Sequence, residues 1–478
     1  MDPLLATLIL ILLALVGARF SFSTVHIAAG PRLLFRTGTH FIVIGFVLGP
    51  SVLGLVTREA LEHLFPFFAL GFGWVGFLFG MQLERDTMRA FAARLHRFAV
   101  GQALFAFAFM TTVGLIGLLA TGRFGRVEIL LVLLASATAC TSAPAGIAMV
   151  SSNFLVRGPV RKMLFFTASV DGIVGIILLQ LIYAGYHPPD ALGLLGTLPA
   201  YAWTVVAVAV GLLCGIIFVW LTRRRTEIEE LVLFLMGMAA FAAGAALQLQ
   251  LSPLFVSVVM GAVVANLVSD PRRVLRVMAR WEKPSYVIML ILAGALVQIP
   301  TPWIIPLALA YAVLRGGAKV AGASAMLRIE TLPFATPRFL GLGLIPQGGI
   351  SLVMALSALL TFYGLEIGGV DVSQGLFSVV VLGVVLSESV GPALTTRTLR
   401  AAGEISPLVE QALASGDDES ARAEAAGHKP EIPDGEDHGD GNDDGEDDAE
   451  YDAEDDAEDD VEDDVEGGVD DGTRTFAS

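Results

Sequence analysis

Apolar runs of about 17–25 residues recur along the first 400 positions, each closed by a short stretch where Gly, Pro, Arg or Asp collects. That length is what a helix needs to cross the hydrocarbon core of a bilayer. Boundaries placed at the breakers predict thirteen spans. They run Pro3 to Phe22, Phe41 to Val56, Phe65 to Leu83, Phe98 to Thr121, Ile129 to Val150, Met163 to Tyr183 and Tyr201 to Leu221. The others are Leu231 to Leu247, Leu254 to Val268, Tyr286 to Val297, Trp303 to Leu327, Phe339 to Phe362 and Leu376 to Thr396. The first run follows Asp2 instead of a basic segment and is long enough to span, so it reads as a helix and not as a signal peptide. The expected fold is all-α and polytopic.

Two spans carry polar breaks. Ser136, Thr138, Cys140, Thr141, Ser142 and Pro144 interrupt one; Pro346, Gln347, Gly348 and Gly349 interrupt another. Proline removes a backbone donor and glycine permits irregular dihedrals, so free N–H and C=O groups are expected mid-membrane. Backbone of that kind is tolerated only where it is buried in protein or lines a cavity. One such helix in each half of a chain marks an inverted-repeat transporter with its ion site at the crossing. A simple proline kink in each helix is the plainer alternative.

Composition agrees with the pattern: a mean hydropathy of +0.70 with 55% hydrophobic residues exceeds what a soluble core needs. The net charge of −17 is the sum of two unlike parts. Residues 431–478 hold 24 Asp+Glu against Arg474 alone, leaving residues 1–430 with 29 Lys+Arg against 23 Asp+Glu, a balance of +6. The expected organisation is a membrane domain over 1–400, a cytoplasmic linker over 401–430 and a disordered acidic tail over 431–478, whose AEDDAEDDVEDDVE repeats cannot build a core. With the N-terminus outside, the inward loops hold 20 Lys+Arg, and the outward loops only Arg58, Arg123 and Arg126. The positive-inside rule is met, and an odd number of spans places the tail in the cytoplasm. An acidic tail together with 26 Arg against 4 Lys suits a halophilic prokaryote, and a GC-rich genome gives the same bias.

Asp171 lies near the middle of Met163 to Tyr183. A charge at that depth costs about 2.5–3.5 kcal/mol even on the lenient insertion scale, so it points to an ion or proton site. Thr167 lies one helical turn earlier on the same face, which lets hydroxyl and carboxylate converge on one ion. Arg315 and Glu388 read as structural ion pairs or snorkelling groups. Cys140 and Cys214 both fall in spans and form no secreted disulfide framework. The seven histidines have no metal-ligand spacing.

The stretches GFVLGPSVLGL (Gly45 to Leu55), GFLFGMQLERD (Gly76 to Asp86), SATACTSAPAGIAMV, TASVDGIVGI, AKVAGA and LIPQGGISLVMAL, in that order, resemble the monovalent cation/proton antiporters, in particular the Kef-type branch related to bacterial sodium/proton exchangers. The resemblance implies a homodimer, each protomer having a dimerisation domain and a mobile six-helix core that holds the broken helices. Asp171 matches the second residue of the family's Asn-Asp or Asp-Asp pair, and Thr141 the Thr of its Thr-Asp-Pro pattern; together with Ser142 in the same pattern and Thr167 from its spacing, the candidate cation ligands are Asp171, Thr141, Ser142 and Thr167. Pro144, Pro346, Gly348 and Gly349 belong to the breaks. Three positions depart from the pattern: Val170 precedes Asp171, Ser142 replaces the Asp of Thr-Asp-Pro, and Gly349 stands where relatives often carry Glu. One carboxylate shared by a proton and a cation favours electroneutral exchange. Lys319 matches the lysine of electrogenic members, where it pairs with the carboxylate missing here, so it is expected either to approach Asp171 or to carry a proton itself.

The reading is a secondary active transporter that exchanges Na+ or K+ for protons in the cell membrane, serving pH homeostasis. Its partners are the ions and the lipid bilayer, with no nucleic acid, no cofactor, no resident metal and no enzymatic reaction. No G-x-G-x-x-G turn follows Ala401, so gating by a nucleotide domain is not expected. A K+ efflux channel or uniporter on the same scaffold, and a transport-silent sensor, are the alternatives.

Overall fold

Thr39–Leu48 (α1) is the first helix in the computed structural model, which describes residues 38–54, 65–187, 198–223, 227–367, 369–415 and 424–425. The predicted span Pro3 to Phe22 and the acidic tail lie outside the described residues. Next come Phe65–Met81 (α2), Arg85–Arg89 (α3), Ala93–Thr121 (α4), Arg126–Ala139 (α5), Pro144–Asn153 (α6), Pro159–Gly185 (α7), Ala200–Leu221 (α8) and Ile228–Gln248 (α9). Then follow Pro253–Leu267 (α10), Pro271–Leu296 (α11), Ile304–Ile329 (α12), a 3-10 turn Leu340–Leu344, Gly348–Thr361 (α13), the two-residue hairpin strands Glu366–Ile367 (β1) and Val370–Asp371 (β2), Val372–Ala401 (α14) and Pro407–Ser415 (α15). Among the described residues, seven helices, taking α5 and α6 as one, are long and apolar enough to cross a membrane, and five shorter apolar helices accompany them. The protein is an all-α polytopic membrane protein.

Helix starts follow the local chemistry. Pro144, Pro159, Pro253 and Pro271 open their helices, where a missing N–H is no loss. Ser252, Asp270 and Asp371 cap α10, α11 and α14 by accepting from Phe255 N (3.3 Å), Arg273 N (2.9 Å) and Gln374 N (3.0 Å). Small residues let helices meet at backbone distance: a Cβ on Gly80 would sit 2.2 Å from the Val258 carbonyl oxygen, and one on Gly261 2.3 Å from that of Phe77. That contact packs α2 on α10 in the manner of membrane helices.

Three boundaries differ from the sequence expectation. Helix α1 stops at Leu48, well short of Val56, because Gly49 precedes Pro50 and is extended (φ −70°, ψ 175°). Helix α11 begins at Pro271, fifteen residues before the predicted Tyr286, since its basic first half continues the helix outside any apolar run. The predicted span from Phe339 is not two half-helices. Only five residues of 3-10 turn precede the break, because Gly341 and Gly343 disfavour a regular helix there and Gly341 brings the chain onto α12, where a Cβ on it would meet the Lys319 carbonyl at 2.5 Å. Past α14, where a linker is expected, Glu404, Ile405, Ser406 and Val409 are buried.

Candidate functional site

The two breaks, Cys140 to Ala143 and Ile345 to Gln347, touch. Ala143 N donates to Pro346 O at 2.9 Å, so the second break supplies an acceptor for a donor freed in the first, and Ser142 Oγ lies 3.0 Å from Leu344 O. Gly348 opens α13 at φ +62°, a conformation that favours glycine, and a Cβ there would sit 2.6 Å from Ala143 Cβ. A Cβ on Gly349 would meet the Tyr286 ring, so this packing leaves no room for a larger side chain there. Pro144 begins α6, and Pro346 lies against Gly146, whose Cβ would be 3.0 Å away.

Asp171, on α7, faces this crossing with no solvent exposure. Lys319 Nζ from α12 lies 2.6 Å from Asp171 Oδ2 and also donates to Cys140 O. Ser142 Oγ donates to the same Oδ2 at 2.8 Å, and Gln102 Nε2 from α4 donates to Oδ1. Lys319 therefore approaches Asp171 directly. Ser142, the replacement for an acid, is itself on the carboxylate.

Thr141 is turned the other way. Its hydroxyl meets Ser351 Oγ and donates to Thr138 O at 3.0 Å, and its carbonyl accepts from Arg315 Nη2. Thr167 is fully buried one turn before Asp171, and its Oγ1 has no hydrogen-bond partner. Cys140 contributes its carbonyl to the site, whereas its thiol bonds Ala137 O. Both cysteines are free.

Neither Arg315 nor Glu388 snorkels, which corrects that option in the sequence reading. Arg315 Nη1 donates to Ile345 O at 2.7 Å and Nη2 to Thr141 O, so one guanidinium ties a carbonyl of each break. Glu388 Oε1 accepts from Gln347 N (2.8 Å) and Gly348 N (2.7 Å), the free donors at the start of α13. Tyr311 completes the set, with its hydroxyl 3.0 Å from Thr138 Oγ1 and 2.7 Å from Gln347 Nε2. Tyr311, Arg315 and Lys319 are spaced by four, which places them on one stripe of α12 facing the breaks. That spacing within an apolar span is the sequence signal for the stripe, although only Lys319 was read from it as functional. Gln102 was missed; its signal is a lone amide in an apolar run.

Outside the spans, Glu404 accepts from Val160 N (2.6 Å) and Arg161 N (2.9 Å), capping the helix that carries Asp171. Burial raises its carboxyl above the usual carboxylate range, against the opposing pull of those N–H groups and of Arg161. Glu330, at the end of α12, lies below that range because Arg97 bonds it with two nitrogens, at 2.6 and 2.9 Å.

A family described as "Sodium/hydrogen exchanger, transmembrane" matches residues 6–401. The fold is similar to that of the sodium proton antiporter MjNhaP1 from Methanocaldococcus jannaschii, with a TM-score of 0.62 and 14% identity, over 84% of this chain and 100% of that one. At that identity the likeness speaks to fold. No curated protein matches the sequence.

Proposed function

Because the chain belongs to the sodium/hydrogen exchanger family, we propose that it exchanges Na+ or K+ for protons across the cell membrane by alternating access, with cation and proton competing for Asp171. One observation carries this reading: Asp171 and Lys319 form an ion pair with no exposure, 2.6 Å apart, where the two breaks cross. Charges so placed must neutralise each other or bind something that does. A cation entering from the open side takes the ammonium's seat beside Asp171, and Lys319 gives its proton to water on that side. The pair plus proton and the pair plus cation then carry the same net charge. The proton belongs to the pair as a unit, and exchange is one-for-one and electroneutral.

The arginine bias orients the N-terminus outside and the acidic tail in the cytoplasm. The protein works as a homodimer in pH homeostasis. Thr141 and Thr167 join Asp171 and Ser142 around the ion once Lys319 has left; Thr167 has its oxygen free for this, and Thr141 must first release Ser351.

The test is a pH-jump assay in proteoliposomes with sodium, potassium and lithium, run with and without a valinomycin-set potential. The expected result is cation-driven proton movement whose rate ignores voltage. Lys319→Gln is expected to exchange still, on Asp171 alone, with its active range moved to lower pH, because a carboxylic acid releases its proton in a more acid range than an ammonium. A voltage response in the parent protein that disappears in Lys319→Gln would show that Asp171 and Lys319 each carry a proton and overturn the electroneutral cycle. Cation flux without proton movement favours the channel or uniporter, and no flux favours the sensor.

Truncation after Gly416 is expected to leave transport intact and to change its dependence on salt or pH. A segment so rich in Asp and Glu acts through its charge on the ions within about 8 Å at physiological ionic strength. Loss of all transport in a correctly inserted truncation would show the tail to be part of the pathway.

A further inference from the structure

We propose that Gln102 is a ligand of the transported cation and helps set which cation the site accepts. The inference rests on Asp171 being the cation site, as argued above. Gln102 is fully buried on α4, and its Nε2 donates to Asp171 Oδ1. A carboxylate only accepts hydrogen bonds, so the amide must turn its nitrogen to Asp171 while Lys319 holds the other oxygen. Its own Oε1 is then left without a partner and away from solvent. Buried carbonyl oxygens with no donor are uncommon and call for a missing ligand, a water or a second arrangement. Thr167 Oγ1, one turn before Asp171 on α7, is unpartnered in the same way. One neutral oxygen without a partner thus belongs to the amide that touches the carboxylate, and another lies one helical turn before it.

The end of a Gln side chain is broad in its last torsion and close to two-fold, so a half-turn exchanges oxygen and nitrogen with little displacement. In the pair with Lys319, the amide nitrogen occupies the seat beside Oδ1. With a cation on the carboxylate, that seat is better filled by Oε1, and the half-turn supplies it. No proton moves in this step; Lys319 alone gives one up. Selectivity among sodium, potassium and lithium depends on the number and field strength of the oxygens around the ion. An amide oxygen added to Asp171, Ser142 and Thr167 changes that number.

Gln102→Met removes both amide atoms at similar volume. In proteoliposomes it is expected to raise the half-saturating concentration of the preferred cation by roughly tenfold or more and to alter the ratio of half-saturation values among sodium, potassium and lithium, with the saturated rate kept within a few-fold. A residue that only positions Asp171 would lower the saturated rate or move the pH profile, leaving those ratios as they were, and that result overturns the inference. Gln102→Glu keeps the shape and leaves an oxygen at the seat in either orientation; it is expected to lower the half-saturating concentration, and unchanged values count against the inference. If Gln102→Met does not reach the membrane, Gln102→Glu decides by the same readouts. Asp171→Asn is run beside both: exchange by that variant refutes the site itself, whereas a silent Asp171→Asn with wild-type ratios in the Gln102 variants refutes only the role of Gln102.

Discussion

Asp171→Asn is expected to abolish cation-dependent proton flux in a protein that still folds. The change is nearly isosteric, and the Asn oxygen can still accept from Ser142 or Gln102, which donate to Asp171 at present. What disappears is the charge for which cation and ammonium compete. Breaking a buried ion pair by removing one partner costs about 3–5 kcal/mol, because the other charge is left uncompensated. The variant should therefore melt lower than the parent while Lys319 remains charged. Asp171→Asn combined with Lys319→Met removes the stranded charge and should recover most of that stability with no recovery of transport. Separating the two readouts matters, since it distinguishes a lost site from a lost fold. Near-normal exchange by a folded Asp171→Asn protein would remove Asp171 from the mechanism.

Arg315→Met is expected to have the second-largest effect, on stability and transport together. The guanidinium is fully buried and bonds Ile345 O and Thr141 O, one carbonyl from each break. Its loss leaves both without that donor, at about 1–3 kcal/mol for each buried group left unpaired. Both carbonyls belong to irregular backbone, which is tolerated at this depth only when protein satisfies it. The crossing then loosens, and with it the placement of Ser142 and Lys319 on Asp171. Melting temperature and cation affinity should fall together. Arg315→Lys should recover only part of the loss, because an ammonium lacks the planar fork that reaches two carbonyls in fixed geometry. A melting curve and transport rate in Arg315→Met equal to the parent's would show that the breaks hold without the guanidinium.

Most of the fold was legible along the chain. Twelve of the thirteen predicted spans fall, in whole or in part, on described residues, and each overlaps helical structure; the first lies outside them. The errors came where local sequence carries weak or mixed signals, as at Gly49-Pro50, at the basic start of α11 and at the glycines before Pro346. Asp171 was legible because a lone acid in an apolar run stands out against a large solvation penalty. Arg315 and Glu388 were seen but assigned plainer roles, since a charged residue near a span looks the same in sequence whether it snorkels or ties backbone.

By itself the sequence determined which segments enter the bilayer, where two of them break, and that one carboxylate lies at membrane depth. These are local properties: hydropathy, proline and glycine act within a few residues, and a bilayer enforces them because unsatisfied backbone has no water to turn to. Tertiary structure alone decided who meets whom. Gln102, Ser142 and Lys319 reach Asp171 from 69, 29 and 148 residues away. Thr141 and Ser142 are neighbours in an unwound stretch, yet one faces Ser351 and the other Asp171. Successive side chains on non-helical backbone point to different sides, so the choice between them depends on how the two breaks cross and how α7 and α12 are rotated against that crossing. No periodicity within a single segment encodes either.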